Sequence, residues 1–138
     1  MKKILSIILV VVMTFGLMVG CGGAKYKDGT YEKTSEPDER GNYATIKIVI
    51  KSGKIAEAEY VEYTPNGPKD ENYGTNNGKI ENQENYDKAQ KALAASKTFG
   101  EKLVKAQDPS KVDVVSGATN SHKTFVQLAN EALSEAKK

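Results

Sequence analysis

The stretch ATIKIVIKSGKIAEAEYVEY, Ala44 to Tyr63, decides the fold. Ala44, Ile46, Ile48 and Ile50 alternate with Thr45, Lys47, Val49 and Lys51. A period of two puts the first set on one face of a strand and the second on the other. Ser52-Gly53 reads as a tight hairpin turn. Lys54 to Tyr63 then returns as a second strand, with Ala56, Ala58 and Tyr60 alternating with Glu57, Glu59 and Val61. The antiparallel pair has one apolar and one wet face, and the apolar face needs a cover.

Working outward, Lys27-Asp28-Gly29-Thr30-Tyr31 reads as a turn entering a further strand, and Glu36 to Gly41 as a polar turn. On the other side, Thr64 to Asn82 is a long polar loop with Pro65, Asn66-Gly67, Pro68 and Asn77-Gly78. A loop of this length is either a covering flap or a disordered insertion. A helix is expected from about Glu84 to Gln107. Tyr86, Ala89, Leu93, Ser96, Phe99 or Gly100, and Leu103 trace its stripe, and Asn82 or Asn85 caps it. Gly100 is a point for this helix to break in two, and Asp108-Pro109 ends it. A last helix carries Phe125, Leu128, Ala129, Ala132 and Leu133 at i, i+3, i+4, i+7 and i+8, with Ser121 as its candidate N-cap. There are no internal repeats. This order predicts a single α+β domain, a small antiparallel sheet with helices packed on one face.

Between the two helical segments lies Asp113-Val114-Val115-Ser116-Gly117-Ala118-Thr119, followed by Asn120-Ser121. Asp113 to Val115 begins as a short apolar run, read as a strand end. Ser116, Gly117 and Ala118 have no bulk to hold a ligand off the backbone, and Gly117 permits a turn with positive φ. Thr119 presents a hydroxyl just before the helix, where unpaired N–H groups and the positive end of the helix dipole suit a phosphate. The plainer reading is a strand-turn-helix junction with a serine cap and no ligand.

This stretch resembles the flavinylation motif D-x-x-[ST]-G-A-[TS] of the FMN-binding domain family. That family includes flavin-bearing subunits of the sodium-pumping NADH:quinone reductase and of the Rnf complex, and many small extracytoplasmic lipoproteins. Asp113, Ser116, Gly117, Ala118 and Thr119 match every defined position. The resemblance implies that a Mg²⁺-dependent flavin transferase cleaves FAD and joins FMN through its phosphate to Thr119. It implies that Asp113, Ser116 and Gly117 are read by the transferase or shape the loop, and that Ala118 and Asn120 belong to the same binding segment. Backbone N–H groups around Asn120 to Lys123 would meet the phosphate charge.

The first residues read as an export signal. Lys2 and Lys3 are charged, and Ile4 to Val19 is uncharged and mostly apolar. Met18-Val19-Gly20-Cys21 is similar to a lipobox, with Met18 and not leucine three residues before the cysteine. The expected division is a lipoprotein signal peptide over 1–20, a lipidated Cys21 and linker over 21–27, and the FMN-binding domain over 28–138. The alternative is an uncleaved anchor, but the apolar run is shorter than the ~20 residues that span a bilayer comfortably. Either way the domain is expected on the extracytoplasmic face of the cell membrane. Cys21 is the single cysteine, so lipidation (palmitate among the acyl groups) accounts for an odd thiol in an exported chain. With Lys2 and Lys3 taken from the 20 basic residues, the remainder balances the 18 acidic ones. A neutral chain with no basic patch predicts no nucleic-acid partner.

A flavin would need flat contacts, and Tyr31, Tyr43, Tyr60 and Tyr63 lie on or near strands. For each of these, core packing competes with flavin contact. His122, the only histidine, is either a catalytic base or an exposed residue of the first helical turn. A lone histidine without a cysteine cluster argues against a transition-metal site. No G-x-G-x-x-G for a nicotinamide cofactor occurs. The resemblance therefore implies an electron carrier between a quinone-linked membrane dehydrogenase and an external acceptor. A non-flavinylated surface lipoprotein, either a binding module or an antigen, is the alternative from another class. An FMN-dependent reductase acting on its own substrate is the third.

Overall fold

The computed structural model describes residues 25–138. The expected signal peptide, the expected lipidation at Cys21 and the glycines after it lie outside the described residues. Four strands, β1 (Gly29–Thr34), β2 (Tyr43–Lys51), β3 (Lys54–Thr64) and β4 (Gly67–Pro68), form one antiparallel meander in chain order. Three helices follow, α1 (Gln83–Ser96), α2 (Phe99–Ala106) and α3 (Thr119–Ala136), with a short 3₁₀ turn at Pro109–Lys111. Helix α2 packs on β3 and helix α3 on β1 and β2. The protein is thus an α+β domain with its helices on one face of the sheet.

The central hairpin forms as its alternation requires. Ala44, Ile46, Ile48 and Ile50 are all buried, and Ser52 and Gly53 take the two positive-φ positions of the turn. The return strand departs from the expectation in one place. A bulge slips the pairing between Val49 and Ile50, so that Ile50 faces Ile55 while Val49 faces Glu57. Ile55 is therefore the buried residue and Ala56 is exposed. Beyond the bulge, Tyr60 and Glu62 point inward. The side chain of Gln107 fastens the bulge: Ile55 N–H donates to its Oε1 at 2.9 Å, and its Nε2 donates to Ile55 O at 2.8 Å.

The single helix expected from Glu84 to Gln107 is two helices, and the break falls at Lys97–Thr98, not at Gly100. Thr98 turns both its N–H and its hydroxyl onto Ala95 O, at 3.0 and 2.7 Å, which ends α1 in a tight turn. Asn82 is the N-cap of α1, accepting from Asn85 N–H at 3.0 Å. Gly100 serves a different purpose. A Cβ there would stand 2.2 Å from Ala58 O, so glycine lets α2 lie directly on the β3 backbone. Gly100→Ala should force the two apart and cost about 1–3 kcal/mol or more. Urea denaturation checks this, and wild-type stability in the variant would refute it.

Two further boundaries move. Tyr26, placed in the linker by sequence, is a core residue at 4% exposure, and it bridges Lys137 at the end of α3. The folded unit thus includes Tyr26, two residues before Asp28. The polar loop is also more structured than expected. Pro65-Asn66, not Asn66-Gly67, forms the turn of a small hairpin in which Gly67 of β4 pairs with Thr64, and the residues after it lie against α1. There Gln90 donates to Asp70 O and Tyr73 O at 3.0 and 2.8 Å, and Tyr86 donates to Glu71 O at 2.9 Å.

Candidate functional site

The motif segment hangs between two buried anchors, Val112 at 4% exposure and Ala118 at 2%. Asp113 to Val115 is not a strand end as expected. The segment runs free of the sheet, and Val114 stands 53% exposed. The chain then reverses in a turn closed by Ala118 N–H donating to Val115 O at 2.9 Å. Gly117 occupies the left-handed position of that turn at φ 88°, where a side chain would strain the backbone. Asp113, Ser116 and Gly117 are on the surface or close to it. Among the described residues, neither the Asp113 carboxylate nor the Ser116 hydroxyl makes a hydrogen bond within the fold.

Helix α3 starts earlier than its serine suggests. Ala118 is the N-cap and makes no side-chain cap, and Thr119 is the first helical residue. Ser121 lies within the first turn and does not cap it. Asn120 is exposed beside Thr119, and its carbonyl accepts from the Thr124 hydroxyl at 3.2 Å. The exposed Thr119 hydroxyl therefore sits at a helix start whose first N–H groups have no side-chain acceptor. That arrangement favours an anion.

His122 is not the exposed first-turn residue expected. It is half-buried, its Nε2–H donates to Val112 O at 2.6 Å, and its ring meets Phe99 edge-on at 5.7 Å. That bond ties the start of the motif to α3, so His122 braces the motif.

Beside Thr119 opens a cleft of about 540 Å³, within the size range of small-molecule sites. Its walls are the β1–β2 loop at Asp38 to Asn42, Lys69 and Tyr73 after β4, Ala92 of α1, and Gly117 to Ser121. A second depression of about 320 Å³ continues along α3, past Tyr43, Tyr60 and Thr124, and shares Asp38, Asn42, Lys69, Asn120 and Ser121 with the first. Asp38 shapes the near wall, accepting from the N–H groups of Arg40 and Asn42 at 2.8 and 2.9 Å. The Asn42 N–H, helped by the Asn42 side chain and the Arg40 N–H, holds the Asp38 carboxyl below the usual carboxylate range against the opposing effect of desolvation.

Lys69 and Glu62 form a closed pair between the two depressions, at 2.9 Å, with side chains only 12% and 8% exposed. Glu62 also accepts from the Tyr60 hydroxyl at 3.1 Å, and that hydroxyl lies 3.3 Å from Ser121 O. The Lys69 ammonium stands 4.3 Å from the centre of the Tyr73 ring. A polar chain thus runs from the cleft wall to the first turn of α3.

The four tyrosines singled out in the sequence take other places. Tyr31 donates to Lys27 O, Tyr43 and Tyr63 stack on each other at 4.9 Å, and Tyr60 packs among Phe99 and Phe125. Tyr73 and Lys69, which do line the cleft, sit in a polar loop with no periodicity to mark them in the sequence.

An exposed hydroxyl at an uncapped helix start, an adjoining cleft, an aromatic wall and a nearby cation fit FMN. A structure of similar fold is the crystal structure of the CPE2226 protein from Clostridium perfringens. It is 29% identical over 80% of this chain and 88% of that one, with a TM-score of 0.59. A solution structure from Clostridium thermocellum is 30% identical over 81% of this chain and 93% of that one, with a TM-score of 0.45. No curated protein matches the chain. The model of the FMN-binding domain matches residues 41–134, which take in the central hairpin, the cleft walls from Asn42 onward and the whole motif, and the chain belongs to the FMN-binding domain family.

Proposed function

We propose that this protein is a lipid-anchored extracytoplasmic flavoprotein that holds FMN covalently on Thr119 and relays electrons from a quinone-linked membrane dehydrogenase to an external acceptor. The observation that carries this reading is the position of Thr119, exposed, first in α3 and open to the cleft. In the attachment step, the Thr119 oxygen forms a bond to the FMN phosphorus of FAD and the pyrophosphate bond to AMP breaks. The hydroxyl proton leaves to solvent, and the transferase supplies Mg²⁺. The first-turn N–H groups, which have no side-chain acceptor, would hold the phosphate, and Lys69 and Arg40 are the cations on the cleft walls. The unbonded Asp113 and Ser116 favour recognition by the transferase over a role in shaping the loop. Once bound, the flavin supplies one- or two-electron chemistry, while the protein contributes position and electrostatics.

The test is co-expression of the mature chain with a flavin transferase, followed by denaturation and mass measurement. Wild type should gain one FMN less one water, and Thr119→Ala should gain nothing. An exposed Thr→Ala change that breaks no cap bond shifts stability by only about 0.5 kcal/mol, so loss of the label would not reflect unfolding. An unmodified, colourless wild type sinks the proposal.

A further inference from the structure

We propose that Tyr73 is the side chain against which the flavin ring packs; this rests on the covalent reading above. Thr119 opens into the first cleft and not into the second depression, and Tyr73 is the tyrosine on the walls of the first. Tyr31, Tyr60 and Tyr63 are engaged elsewhere, and Tyr43 has its stacking partner in Tyr63.

Tyr73 is also held in place as a platform must be. Its N–H donates to Asp70 O at 3.0 Å, and its carbonyl accepts from Gln90 of α1 at 2.8 Å. Lys69 stands over the ring at 4.3 Å and is itself fixed by Glu62, both through its ammonium and through its backbone N–H, which donates to Glu62 O at 2.9 Å. A cation over an aromatic face is an attractive contact, and an aromatic ring fixed in this way loses little freedom when a second flat ring meets it. The loop from Thr64 to Asn82 therefore supplies a fixed wall of the flavin site.

Emission of the attached flavin gives a readout independent of electron-transfer activity. A phenol in contact with a photoexcited flavin passes it one electron and takes it back in the dark, which quenches emission without net chemistry. The experiment compares flavin fluorescence per covalent label in wild type, Tyr73→Leu, Tyr73→Phe and Tyr43→Phe, with labelling confirmed by mass. Emission should rise severalfold in both Tyr73 variants, because neither leucine nor phenylalanine is readily oxidised, and stay at the wild-type level in Tyr43→Phe. Should Tyr73→Leu fold or label poorly, Tyr73→Phe, which keeps the ring, decides alone. Labelled Tyr73→Phe with wild-type emission overturns this assignment and leaves the covalent reading standing. A rise in Tyr43→Phe alone moves the ring to the second depression and also overturns it. Failure of wild type to label removes both readings.

Discussion

Phe99→Ala is expected to lower the stability of the domain by about 3–5 kcal/mol, against a total on the order of 5–15 kcal/mol for a domain of this kind. Phe99 is the first residue of α2 and is fully buried. Its ring stacks on Phe125 of α3 at 5.0 Å, lies 5.9 Å from Tyr60 of β3, and meets the edge of His122 at 5.7 Å. Truncation would empty the point where α2, α3 and the sheet converge, and no long flexible side chain stands among these rings to refill it. Part of the cost should reach the functional site, because His122 braces the motif and Tyr60 reaches Ser121. Phe99→Leu keeps most of the volume and should cost less than half as much. Urea or thermal denaturation measures both, and a loss below about 1 kcal/mol for the alanine variant would mean that the core is not centred on this ring.

The hairpin and the last helix were legible in the sequence because their signals are local. Lys47 and Lys51 alternate with isoleucines, Ser52-Gly53 punctuates them, and Phe125 to Leu133 repeats at the helical period. The motif was legible as a fixed string. What escaped was set by packing between distant segments. Alanine and isoleucine count alike in a periodic pattern, so nothing distinguished Ile55 from Ala56 and the bulge went unseen. The apolar stripe of α1 and α2 runs on past Lys97–Thr98, so the break appeared to belong to the glycine. Gly100 is explained only by the Ala58 carbonyl, which lies far back in the chain. Tyr26 looked like linker because lysines flank it. The aromatic wall at Tyr73 was hidden for the same reason, since its significance depends on Gln90 holding its backbone and on Lys69 and Thr119 meeting it in one cleft.

Glu62→Ala should cost about 3 kcal/mol, near the lower end of the range for breaking a buried pair, because Lys69 lines both depressions and can turn partly toward water once released. The change also takes from the Tyr60 hydroxyl the nearer of its two acceptors. Lys69 itself shows how the pair works. Burial pulls its ammonium down, but the hydrogen bond and charge of Glu62, with smaller help from Tyr73, more than offset this and hold it above its ordinary value. Burial, then the charge and hydrogen bond of Glu62, likewise push the Tyr60 hydroxyl up. For groups with raised values, the stabilisation is fully present below the unfolded values of roughly 10.0–10.4 and is lost as pH climbs through the folded ones. Wild type should therefore weaken progressively above about pH 10. Glu62→Ala should start lower and show a shallower alkaline decline. Glu62→Leu combined with Lys69→Met replaces both charges by apolar bulk and should recover much of the loss. Denaturation curves between neutral and strongly alkaline pH read all three. If the single and double variants were equally unstable, the ion pair would not be the source of the effect, and the hydroxyl of Tyr60 would carry it instead.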